Sequence, residues 1–77
     1  MKIDVTFTGP VRRPWSETSR TIPLFDGETA AALLKRLGFT PAESRMLWIA
    51  VNGEMTTLEQ TLNDGDRVTV GLRLGGG

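Results

Sequence analysis

The stretch Asp26-Gly27-Glu28-Thr29-Ala30-Ala31-Ala32-Leu33-Leu34-Lys35-Arg36-Leu37-Gly38 decides the fold. Asp26-Gly27 is a turn signal, and the Thr29 hydroxyl can then accept from one of the free amides that open a helix. Ala30, Leu33, Leu34 and Leu37 follow at i, i+3, i+4 and i+7, so they share one helical face. Gly38 stands where a left-handed residue ends a helix, and Lys35 and Arg36 occupy the last turn, where the helix dipole favours cations. One main helix with one apolar stripe needs one apolar surface to cover it.

The flanking segments supply that surface as strands. On the N-terminal side, Ile3, Val5 and Phe7 alternate with polar residues, the period-two pattern of a strand with one buried face. Gly9-Pro10 interrupts it, and the segment through Pro14, with Arg12 and Arg13 between prolines, reads as an exposed connection to a second strand over Thr18–Leu24. On the C-terminal side, Thr40-Pro41-Ala42-Glu43 has the spacing of a capping box with proline at the first helical position, predicting a short connecting helix. Leu47–Val51 is a β-rich apolar run, Asn52-Gly53 is a strong two-residue hairpin signal, and Met55–Thr57 can return. Arg67–Leu74 alternates again, with Val68, Val70, Leu72 and Leu74 on one side and Arg67, Thr69, Gly71 and Arg73 on the other. The order strand, strand, helix, strand, short strand, strand predicts an α+β domain over residues 1–74, a mixed sheet of four to five strands packed on one main helix, followed by a C-terminal Gly tail, 75–77. The far face of the sheet is left for water or partners.

Composition narrows the chemistry. Nine basic and nine acidic residues among 77 give zero formal charge, so no field favours nucleic acid or an anionic membrane. No apolar run approaches the roughly 20 residues needed to cross a bilayer, and Met1-Lys2-Ile3-Asp4 opens a strand pattern instead of a signal peptide, which leads us to expect a cytoplasmic protein. Cys and His are both absent, removing the thiolate nucleophile, the common zinc ligands and the usual neutral-pH base. Asp64 and Asp66 flank Gly65, but a D-G-D between two strands is expected to be a solvated turn and not a metal or catalytic site. The chain is therefore expected to be no enzyme and to bind no cofactor of its own.

Two sets of residues carry a resemblance. Leu72-Arg73-Leu74-Gly75-Gly76-Gly77 resembles the Leu-Arg-Leu-Arg-Gly-Gly ending of ubiquitin without a gap, with departures at Gly75, where ubiquitin is basic, and at Gly71, where an apolar residue is expected on the outer face. Thr29 to Gly38 resembles the T-x-x-x-L-L-x-x-L-G helix of the ThiS/MoaD family of prokaryotic sulfur carriers. Ile49-Ala50-Val51-Asn52-Gly53 resembles its A-V-N-G hairpin, and Leu62-Asn63-Asp64-Gly65-Asp66-Arg67-Val68 its L-x-D-G-D-x-V turn. The likeness spans most of the chain from residue 29 onward, whereas Gly9 to Trp15 looks like an insertion. It implies a ubiquitin-like β-grasp fold and a function at the C-terminus. An E1-like adenylating enzyme, using its own ATP and Mg, would convert the Gly77 carboxylate to an acyl adenylate. Sulfur from a donor would displace AMP to leave a thiocarboxylate, and a sulfur-accepting synthase would receive it.

The sequence suits that role physically. Glycines lack Cβ and accept almost any φ, so Gly75, Gly76 and Gly77 can thread a narrow channel and carry the carboxylate roughly 10 Å beyond Leu74. The resemblance makes Gly76 and Gly77 the reacting end, and Gly75, Leu74, Arg73, Leu72 and Trp48 the partner-binding residues. Arg73 reads equally as a solvated strand-end residue, and Trp48 as core. Trp15, in a proline-flanked loop, is either a clamp on its neighbours or a partner anchor. Two other functions stay open: a ubiquitin-like modifier joined through Gly77 to target lysines, and a plain β-grasp interaction module with an inert tail.

Overall fold

The computed structural model describes residues 1–73; the expected tail, Gly75 to Gly77, and Leu74 before it lie outside the described residues. The elements follow in the order β1 (Lys2–Thr8), β2 (Ser19–Pro23), α1 (Ala30–Arg36), α2 (Pro41–Arg45), β3 (Leu47–Val51), β4 (Glu54–Thr56) and β5 (Arg67–Leu72). The sheet runs β2-β1-β5-β3-β4, with β1 parallel to β5 and the other neighbours antiparallel. This is the mixed sheet of a ubiquitin-like β-grasp.

Local chemistry explains each boundary. The Thr29 hydroxyl accepts from the Ala32 amide at 3.2 Å, and Gly38 closes α1 at a φ of 97°. At α2 the Thr40 hydroxyl accepts from the Glu43 amide at 3.1 Å while the Glu43 carboxylate accepts from the Thr40 amide at 2.8 Å, a complete capping box. Asn52 and Gly53 both take positive φ, 53° and 85°, the requirement of a type I′ hairpin. That two-residue turn sets Glu54 opposite Val51, so the return strand starts at Glu54 instead of Met55. The last strand, expected to reach Leu74, ends at Leu72, with the Arg73 amide adding one further bond to the Met46 carbonyl at 2.8 Å.

The core lies between sheet and helix: Ile3, Val5, Phe7, Val68 and Val70 from the strands meet Ala30, Leu33 and Leu34, all nearly inaccessible. Leu37 packs at its margin, partly buried. Near the N-terminal end of β1, the buried Glu28 carboxylate accepts from Arg36 Nε at 2.8 Å and Nη2 at 3.0 Å, and Arg36 also donates to the Pro23 carbonyl. The connection from Gly9 to Pro14 is exposed as expected except at Val11, which packs with Trp15 against the core; Trp15 lies edge-on to Phe7 at 5.6 Å between centroids. Trp15 is thus a clamp, although its buried Nε1 has no hydrogen-bond partner.

Candidate functional site

The last described strand, β5, lies in the middle of the sheet. β5 is flanked by β1 and β3, and Val68 and Val70 fix it in the core. Leu72 is half-buried, and Arg73 is exposed with its amide held by Met46. A strand bonded on both sides holds Leu72 and Arg73 in fixed positions at the end of the described residues.

Trp48 settles on the outer face of the sheet. It lies directly across from Gly71 in the β3–β5 ladder, outside the core, and its indole lies against the glycine. A Cβ at Gly71 would meet Trp48 Cε2 and Cζ2 at 2.3 Å and Nε1 at 2.6 Å, so only glycine fits beneath the ring. Gly71, which departs from the apolar residue expected on the outer face, is therefore the floor of an aromatic shelf, and Trp48 covers it in place of a side chain of its own. The neighbouring row pairs Met55 with Ala50 and Ala50 with Thr69, and Met55 is 67% exposed. Trp48 and Met55 thus offer apolar surface on the outer face of β3, β4 and β5, of the residue types enriched at interfaces.

Beside Leu72, one acidic group is held in place by a basic one. Arg12 reaches from the 9–18 loop to bond Glu43 at 3.1 Å and lies over the Phe39 ring at 5.0 Å. The Thr40 amide first, and then the Arg12 guanidinium, hold the Glu43 carboxyl below its usual value near 4.5. A lowered carboxyl stabilises the fold above its unfolded pKa, and that contribution is lost as pH falls through the folded one. The Tm difference between the native chain and Glu43→Gln is therefore expected to be present at pH 7 and to shrink as acid titration proceeds below about pH 4.5. An unchanged difference at pH 3 would show that Glu43 acts by packing alone.

The D-G-D segment is consumed by structure. The Asp66 carboxylate accepts from the Asn63 amide and Asn52 Nδ2 at 2.8 and 3.0 Å, and Asp64 accepts from the Lys2 amide at 2.8 Å. No cluster that could hold a metal exists among the described residues. Of the expected site residues, the structure gathers Leu72, Arg73 and Trp48 at one end of β5, whereas Leu74, Gly75, Gly76 and Gly77 lie outside the described residues. Sequence reasoning missed Met55 and the role of Gly71. The hairpin signal at Asn52-Gly53 already implied that Met55 pairs with Ala50, but nothing local implied that Trp48 faces Gly71.

The family model of ThiS matches residues 5–77, nearly the whole chain. The chain belongs to the ThiS family. Among solved structures it is similar to SAMP1 from Haloferax volcanii, at 13% identity and a TM-score of 0.75 over 100% of both chains. It is also similar to a putative molybdopterin converting factor, subunit 1, from Pyrococcus furiosus, at 22% identity and a TM-score of 0.72 over 95% of this chain and 98% of that one. A third likeness is to the complex of subunits 1 and 2 of molybdopterin-converting factor from Helicobacter pylori, at 23% identity and a TM-score of 0.64 over 100% of both chains. At these identities the solved structures establish the fold. No curated protein matches the chain significantly. This ThiS-family protein is thus a sulfur-carrier-like, ubiquitin-like β-grasp protein of the ThiS/MoaD type, a family of small carrier proteins. Among its described residues no helix is long and apolar enough to cross a membrane.

Proposed function

We propose that the chain is a sulfur carrier whose reacting group is the Gly77 carboxylate. A carboxylate oxygen attacks the α-phosphorus of ATP in a partner's site, and pyrophosphate leaves. A hydrosulfide-level donor then attacks the acyl carbon, AMP leaves, and sulfur replaces one oxygen as a thiocarboxylate, which a second partner consumes. The observation that carries this reading is that the family match runs through Gly77. The rigid base of β5 and the shelf of Trp48 over Gly71 support it, because they offer an activating enzyme a fixed surface beside the tail. The Helicobacter pylori neighbour, a complex of two subunits, supports a separate accepting partner.

Intact-mass analysis of the untagged protein from its native cells, denatured and unreduced, tests it. A Gly77 species heavier by the sulfur-for-oxygen difference is expected; only free carboxylate would refute it. A second reading, a modifier joined through Gly77 to target lysines, is favoured by the neighbour named small archaeal modifier protein 1. Gly-Gly remnants on cellular lysines would then replace the thiocarboxylate. With only Lys2 and Lys35 as lysine acceptors in this chain, long branched polymers are not expected.

Arg73 is proposed as a steering contact for the activating partner. Arg73→Glu is expected to lower kcat/KM for adenylation by about 10-fold, through slower encounter that added salt masks. Unchanged adenylation would return Arg73 to an ordinary solvated strand end.

A further inference from the structure

A groove runs along the helical side of the domain, away from the Trp48 shelf. It consists of two adjoining hollows of about 360 and 380 Å³ that share Ser44, Arg45 and Leu58. Leu47, Ile49 and Arg73 line the first, with Thr56 and Thr57. Ala31, Ala32 and Phe39 line the second, beside Lys35. Depth in the second hollow comes from the sequence: Ala31 and Ala32 are exposed on α1, where a solvated helix face ordinarily carries long charged residues. The walls are fixed before anything binds, since the Ala31 and Ala30 amides bond the Leu58 and Gln60 carbonyls at 2.9 Å and α2 carries its complete capping box.

Charge along the groove is one-sided. Lys35, Arg45 and Arg73 border it, and Glu59 is its one acidic side chain. Among the described residues the ion pairs are Arg12–Glu43, Arg20–Glu17 and Arg36–Glu28, so none of the three groove cations is neutralised by one of them. In a chain of zero formal charge, this is a local excess of positive charge over an apolar floor. Phe39, the one aromatic residue of the floor, is 5% exposed, so the groove has no open stacking platform for bases.

We infer that this groove docks an acidic segment of a partner protein, one that places an aliphatic side chain in each hollow and carboxylates against Lys35, Arg45 and Arg73. The proposal goes beyond the sulfur-carrier reading and does not require Gly77 to react, so either can fail alone. The test titrates the full-length, ¹⁵N-labelled chain with the capped peptide Asp-Leu-Asp-Glu-Ile-Glu. Amide shifts are expected at Ala31, Ala32, Lys35, Ser44, Arg45 and Leu58. Affinity is expected to fall about 10-fold in Lys35→Glu/Arg45→Glu, and similarly for the peptide with lysines in place of its acids. Shifts centred on Trp48 and Met55, no shifts at millimolar peptide, or equal binding of a thymidine oligonucleotide at these residues would overturn it.

Discussion

A chain lacking Gly76 and Gly77 is expected to fold as the complete chain does and to lose adenylation entirely. The two halves of that result have separate causes. Every buried side chain of the core lies between Ile3 and Val70, and β5 ends at Leu72, so the truncation removes no packed atom among the described residues. Its Tm should match that of the complete chain within the small shifts expected of surface changes. The proposed reaction, by contrast, needs a carboxylate at a set distance from a fixed base, and removing two residues withdraws it by up to about 7 Å. A shift of about 1 Å already costs an enzyme orders of magnitude in rate. ATP–pyrophosphate exchange with the activating partner measures the loss, and a melting curve measures the fold. Retained exchange in the truncated chain would remove the C-terminus from the mechanism and leave an interaction module.

Gly71→Val should damage both stability and docking, against what strand preference alone suggests. Valine is a better strand former than glycine, and Gly71 has no positive φ that a side chain would strain. The obstacle is Trp48, whose ring atoms come within 2.3 Å of the position a Cβ would take. The indole must swing away, which is expected to destabilise the domain by about 1–3 kcal/mol and to expose the ring further. In a Trp15→Phe background, where Trp48 is the sole indole, its emission should shift to the red. Adding Trp48→Ala should recover most of the stability, since the clash is pairwise. If Gly71→Val were as stable as the native chain and Trp48 emission unmoved, the shelf would have no structural role.

The helices and the hairpin were legible because their chemistry is local. Thr29 and Gly38 bound α1, Thr40 and Glu43 close a capping box around Pro41, and Asn52-Gly53 turns the hairpin, each through groups within a few residues of one another. The buried faces of β1 and β5 were legible for the same reason, as alternation survives whatever the strand pairs with. Where the sequence left a residue's role open, a distant partner decided it. Trp15 read as either a clamp or a partner anchor, and Phe7 makes it a clamp; Arg12, on the exposed connection, finds Glu43 far along the chain.

By itself, then, the sequence determined which segments become helix and strand and which faces turn inward, and its lack of Cys and His left the C-terminus, through its family resemblance, as the end we propose to react. Tertiary structure alone decided that Trp48 lies over Gly71, that β5 sits between β1 and β3 as a rigid base, and that Lys35, Arg45 and Arg73 border one groove. The difference has one physical reason. Secondary structure and facing are set by dihedral preferences and hydrophobic period over a few residues, whereas a shelf or a groove exists only once strand register brings together side chains the sequence keeps apart.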